Sequence, residues 1–332
     1  TWGGELASDY HERTRIAGFR ETGGFIGYLF ASLVPLVWWK YIRGVDAPDF
    51  TQIVQAIAAF FIIGLPIFVA CCFFAVPAVE GEVGEKPPSW RELYGILRRN
   101  KPFLRLVSAY FIDRLAMGIY MSAQPLLIGY LLGMLGDILW IGLANTISAV
   151  LLASTWVPIA RRFGKHRAYV IANGVTMVAY ALFFVAQPGQ LWILLLCNMI
   201  MGWGNGGTMI APAAMTADSV DYDELKSGVQ QMGGHMAFLG FVFKAGMAAG
   251  PFFGLGFISL FGFSAAAQTI TPTGELGIRL AISVVPILIL IIPMVMMWRF
   301  PLDVRRHDII RRRLEQRRER AAAAPGRVAE VA

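Results

Sequence analysis

Apolar residues in this chain run in long blocks, and the polar residues between them gather in short clusters. An α-helix needs roughly 20 largely apolar residues to cross the hydrocarbon core of a bilayer. Blocks of that length fall at 22–40, 52–78, 103–132, 138–160, 168–186, 191–215, 232–262 and 278–299. They predict eight membrane-spanning helices in an all-α membrane protein. Strands of a membrane β-barrel alternate in polarity and are only about 10 residues long, so that class is excluded.

The longest internal polar connection is "VEGEVGEKPPSWRELYGILRRNK" at 79–101. Its Pro87-Pro88 pair stops the preceding helix. Ser89 caps a short helix from Trp90, with Glu92 at the reciprocal position. Leu93, Ile96 and Leu97 share one face of it, which predicts an amphipathic helix on the inner membrane surface. The connection separates 1–78, with two spans, from 102–300, with six; a basic tail fills 301–332. A six-span unit after a long inner loop points to the second half of a twelve-span protein made of two six-span halves. The chain opens at Thr1 with neither initiator Met nor polar leader, so its earlier spans are expected to be missing from this sequence.

Composition agrees with a membrane protein: 56% of the 332 residues are hydrophobic and 15% charged, against about half and about a quarter in soluble domains. Charge placement sets the orientation. The segments 1–21, 79–102 (with Arg105), 161–167, 216–231 and the tail from Arg299 hold 24 of the 29 Lys and Arg residues, and the alternate segments hold three. Basic loops stay inside, so both ends of the chain are expected in the cytoplasm. The net charge of +7 lies largely in the tail "RRHDIIRRRLEQRRERAAAAPGRVAEVA". The tail reads as a solvated helix held at anionic lipid headgroups. No nucleic-acid docking module accompanies it. Cys71, Cys72 and Cys197 lie in apolar blocks and imply no disulfide framework.

The sequence offers no phosphate-cradling glycine loop, no metal-ligand spacing and no serine elbow. An enzyme, a metal site and a resident cofactor are therefore not expected. The informative residues are charges inside apolar blocks, which are expensive there and usually mark function. Lys244, in "FLGFVFKAGMAAGPFF", lies too deep to snorkel fully and is expected to face a polar cavity. Asp113 and Arg114 are adjacent, so they project about 100° apart and need not pair; a structural pairing and a substrate role both stay open. Gln124, Asn145, Asn198 and Asn205 are milder candidates that serve equally as helix–helix bonds. His235, beside two glycines, reads as a packing residue. The glycines of "GWGNGGT" at 202–208 predict close helix approach or bending.

The stretch "ADSVDYDELKSG" places Ala217, Asp218, Val220, Asp221, Tyr222, Glu224, Lys226 and Gly228 at the end of a span. With "DYHER" followed by Arg20, the turn "RRFGKHR" and a lysine in the next span, it resembles the glycoside–pentoside–hexuronide:cation symporters. This melibiose permease-like branch belongs to the major facilitator superfamily. The resemblance covers essentially the whole chain and aligns its eight spans with spans 5–12 of twelve.

That resemblance implies a secondary transporter working by alternating access, with cation-coupled symport of a sugar or glycoside. It implies that Lys244 and Arg20 line the substrate site, with Asp113, Arg114 and Gln124 as further candidates. Asp218, Asp221 and Glu224 match acids of a cytoplasmic gate, with Tyr222 and Lys226 in the same motif and Arg13 as the basic partner from the other half. A coupling Na⁺ or H⁺ would bind in the missing amino-terminal spans. The expected setting is a monomer in the bacterial inner membrane, with a small-molecule substrate. The chain departs from the family pattern at Gln230 and Gln231, where a charged pair is usual. It departs again at Met209, where the family stacks sugar on a tryptophan; Trp203 lies nearly two turns away. Two other readings stay open: a lysolipid-like substrate on the same fold, favoured by Met209, and a non-transporting membrane sensor.

Overall fold

A computed structural model describes residues 23, 26–27, 30, 33–34, 37–44, 50–75, 95, 99–228, 232–264, 270–302 and 304–323. Arg13, Arg20, Gln230, Gln231 and most of the linker helix expected from Trp90 lie outside them. Every long element described is a helix: α1 (Phe50–Ala75), α2 (Lys101–Leu126), α3 (Ile138–Leu152), α4 (Trp156–Phe163), α5 (Lys165–Phe184), α6 (Leu191–Ser227), α7 (Met232–Leu260), α8 (Pro272–Ile282), α9 (Val284–Trp298) and α10 (Val304–Ala323).

Among the described residues six stretches are long and apolar enough to cross a membrane, including Leu135–Phe163, which joins α3 to α4, and Pro272–Trp298, which joins α8 to α9. The expected block at 103–132 is helical too, as α2 followed by a π-turn at Leu127–Leu131. Its charges at Arg105, Asp113 and Arg114 make it less apolar than the other spans. The last span starts earlier than its apolar block, at Pro272, because Thr271 caps it by accepting from the Gly274 amide.

Glycine sets the helix contacts, as van der Waals fit must in lipid, where burial of apolar surface drives nothing. On α7, Gly246, Gly250 and Gly254 recur every four residues and lie against α2. A Cβ at Gly118 would meet the Met247 carbonyl at 2.8 Å, and one at Gly250 would strike the Gly118 backbone. On α6, Gly202 lies on the Asn145 carbonyl of α3, while Gly204 lies on Thr176 and Gly207 on Ala172, both of α5. The close approach expected of "GWGNGGT" is therefore present, with α6 seated between α3 and α5.

Two apolar clusters fill the bundle. One gathers around Tyr120, Ile128, Phe183, Ile278 and Leu290; the other lies at the Gly228 end and includes Phe103, Leu106, Tyr169, Leu239 and Met297. Ile310 and Leu314 of α10 belong to the second cluster. The tail is thus more than a solvated helix at a lipid surface: its i, i+4 apolar pair docks on the bundle, leaving Arg311, Arg312 and Arg313 exposed. α1 differs, with Ile62 74% and Phe74 84% exposed. A helix apolar all round belongs in lipid or among further helices.

Candidate functional site

Lys244 sits near the middle of α7. At 100° per residue it lies roughly opposite Gly246 and Gly250, which bury against α2. Its neighbours on the same face, Ala237, Gly240, Phe241, Ala248 and Phe252, are exposed, as is Lys244 itself. It has no ion pair or hydrogen bond among the described residues. The bundle therefore presents one uncompensated cation in mid-span on an apolar face.

Asp113 and Arg114 occupy a different place, the packed interior, where they are 3% and 1% exposed. Neighbours on a helix need not pair, but these two do: Arg114 Nη2 donates to Asp113 Oδ1 at 2.7 Å. The long guanidinium arm bends back across the 100° between them. The same Nη2 donates to Thr208 Oγ1 of α6 at 2.8 Å. Tyr169 donates its hydroxyl to Asp113 Oδ2, and Asn173 Nδ2 approaches that oxygen at 3.4 Å. Tyr110 and Phe243 offer ring faces to the guanidinium, with centroids 5.0 and 5.7 Å away. One ion pair thus joins α2 to α5, α6 and α7. Nearby, Gln124 Nε2 donates to Asn198 Oδ1 at 3.2 Å, and Asn145 Nδ2 donates to the Asn198 carbonyl at 3.2 Å. These are helix–helix bonds.

The acid-rich stretch is helical. α6 continues from the apolar block to Ser227 and ends at Gly228, whose φ of 75° is the left-handed conformation that closes helices. The acids therefore take helical directions. Asp218 and Asp221 project within about 60° of each other, and Asp223 points to the other side.

Lys165 Nζ, on α5, donates to both oxygens of Asp218, at 2.6 and 2.8 Å. His307 Nε2, on α10, lies 2.9 Å from Asp221 Oδ2 and 3.4 Å from Asp218 Oδ1. Asp221 chiefly, through this hydrogen bond, raises the His307 pKa above its ordinary value; partial burial opposes the shift, the Asp218 charge adds to it, and Lys165 opposes it. On the other side, Arg99 grips Asp223 through two parallel bonds at 2.8 and 3.0 Å. Asn100, fully buried, donates to the Ser219 carbonyl at 2.7 Å and accepts from the Phe103 amide at 3.0 Å, capping α2. His235 packs its ring on Phe103 at 4.6 Å, the packing role expected of it.

Of the other motif residues, Tyr222 and Glu224 are half-buried and Lys226 is exposed. The Lys226 ammonium covers the Tyr222 ring at 4.4 Å. The cluster's strongest bonds involve residues that motif reading missed: Asp223, Lys165, Arg99 and His307. Lys165 lay within the basic turn "RRFGKHR". His307 was hidden among the arginines of the tail.

A family model described as MFS/sugar transport protein matches residues 1–304. A "Glucuronide carrier protein homolog" of Escherichia coli is 27% identical over 207 residues, 62% of this chain and 45% of that protein. A "Sodium-dependent lysophosphatidylcholine symporter 1-A" of Danio rerio is 25% identical over 260 residues, 75% of this chain and 48% of that protein. A "Lactose permease" of Lactobacillus delbrueckii is 24% identical over 301 residues, 86% of this chain and 47% of that protein. The chain spans about half the length of the curated relatives it matches.

Proposed function

Because this chain belongs to the MFS/sugar transport protein family, we propose that it works in a secondary transporter, by alternating access, as a cation-coupled symporter of a sugar or glycoside. The observation that carries the reading is Lys244, a mid-span cation exposed on the one face of α7 that no described helix covers. A lysine there finds a partner only in water, a substrate hydroxyl or acid, or a polar group from the other half of the transporter. Lys244 and Arg20 then line the substrate cavity. Asp113, Arg114 and Gln124, engaged within the bundle, hold the helices that shape it.

The Gly228 end is the cytoplasmic gate, with Asp218, Asp221, Tyr222, Glu224 and Lys226 meeting Arg13 from the other half. The coupling Na⁺ or H⁺ binds in amino-terminal spans beyond this sequence. The protein is a monomer in the bacterial inner membrane, with the ends of this chain in the cytoplasm, and the exposed arginines of α10 rest on anionic headgroups.

A second reading, an amphiphile such as a lysolipid, draws on the lysophosphatidylcholine symporters among the relatives and on the exposed Met209 and Ile210 of α6. Counterflow in proteoliposomes decides between them. Radiolabelled lactose or a methyl glucuronide exchanging faster than in empty liposomes supports the first reading. Exchange of lysophosphatidylcholine alone replaces it with the second, and exchange of none overturns both.

A further inference from the structure

The carboxy-terminal helix reaches into the acidic cluster at two levels. Ile310 and Leu314 seat α10 in the apolar core at the Gly228 end, at 8% and 5% exposure. From that seat His307 contacts both Asp218 and Asp221, and Arg317 Nη1 approaches the Leu225 carbonyl at 3.3 Å. Asp218 and Asp221 are two of the acids assigned above to the gate. A carboxylate held by an imidazolium on its own side is less available to a base arriving from the other half.

We propose that α10 is a working part of the gate: through His307 it competes for Asp221 and Asp218, so that closure of the Gly228 end weakens when His307 is protonated. His307 is thus a positioning residue, acting on the gate through the two carboxylates. The proposal rests on the transporter reading.

The charges facing His307 are Asp218 and Asp221 of α6 and Lys165 of α5; Arg306, Asp308 and Arg311 adjoin it on α10 itself. The two carboxylates outweigh the one ammonium, and the imidazolium is favoured. The sign follows. A group whose pKa is raised on folding lends its full stabilisation below its unfolded value, about 6.5 for histidine, and loses it as pH rises through the folded value. The contact is therefore tightest in mild acid and relaxes on the alkaline side of the ordinary histidine range.

The test uses the full protein in lipid nanodiscs and in proteoliposomes. Nuclear magnetic resonance titration of His307 is compared with that in Asp221→Asn. A midpoint above that of a free histidine, falling in Asp221→Asn, is expected; an unchanged midpoint overturns the proposal. Counterflow of radiolabelled lactose, a methyl glucuronide and lysophosphatidylcholine is then followed with equal pH on both sides, so that no proton gradient drives exchange. Wild-type exchange is expected to rise at least about threefold from about pH 6 to about pH 9. His307→Gln, which keeps an amide donor but no charge, is expected to lose most of that rise and to run near the alkaline wild-type rate. A variant that keeps the full rise overturns the proposal and leaves transport intact. Exchange of neither sugar nor lysophosphatidylcholine at any pH overturns the transporter reading, and the gate with it, whatever the titration gives.

Discussion

Arg99 and Asp223 form a two-point ion pair that is unequal in its exposure: the arginine side chain is 42% exposed and the aspartate 1%. The paired bonds, aspartate holding guanidinium, raise the pKa of Arg99. Removing the arginine strands a buried carboxylate, whereas removing the carboxylate returns the arginine to water.

Arg99→Gln is therefore expected to destabilise the protein more than Asp223→Asn. Bonds to a charged group contribute about 1.5–3 kcal/mol, and the exposed partner lowers the expected loss for Arg99→Gln to about 1–2 kcal/mol. Thermal unfolding in detergent reads the order of the two, and equal losses would show that Asp223 is rehydrated.

Lys244→Ala is expected to abolish sugar accumulation by the full protein while leaving its unfolding temperature within the error of wild type. The side chain has no partner among the described residues to lose. Undiminished uptake would remove Lys244 from the substrate site.

The glycine contacts discriminate sharply along one helix. Gly250→Ala forces a methyl into the Gly118 backbone, and overpacking of that kind costs about 1–3 kcal/mol. Gly256→Ala, with nothing within 4 Å of the added carbon, is expected to be neutral or slightly stabilising. Matched unfolding curves for the two would contradict the α2–α7 contact.

Asp113→Asn and Arg114→Met each leave one charge buried without its partner, a loss of about 3–5 kcal/mol. The double variant is expected to recover a large part of that, since neither charge remains. A double-mutant cycle on unfolding temperature measures the coupling, and simple additivity would show that the pair does not act as a unit.

Long apolar blocks were legible because the bilayer demands a minimum length of helix, and the family was legible because its acidic motif is long and specific. The helical course of "ADSVDYDELKSG" was obscured by its charge, although its only glycine, Gly228, sits where a helix stop belongs. No local period could pair Asp223 with Arg99, which is 124 positions away. Direction alone left the pairing of Asp113 with Arg114 open, because an arginine arm is long enough to fold back on its neighbour. The docking of α10 had one signal, Ile310 and Leu314 a turn apart among arginines, and a basic tail beside a membrane masks such a pair. The chemistry of the proposed substrate site was the least legible part, since Arg20 lies outside the described residues and Lys244 meets no partner within them.

The continuity of α6 has a mechanical meaning. Its 37 residues make a rod about 55 Å long, nearly twice the thickness of a hydrocarbon core of about 30 Å. Thr208, under the Arg114 guanidinium, lies close to half-way. Pro212, one turn further, cannot donate to the Thr208 carbonyl, so the ladder is open beside that point. Ser227 stands about 28 Å beyond Thr208 at 1.5 Å per residue, and a tilt of about 10° there would swing the acidic tip by about 5 Å on that arm. A displacement of that size is larger than the 2.6 Å separating Lys165 from Asp218. A rod pivoting at that point would act as a lever, with its short motion in the membrane and its long motion at the ion pairs.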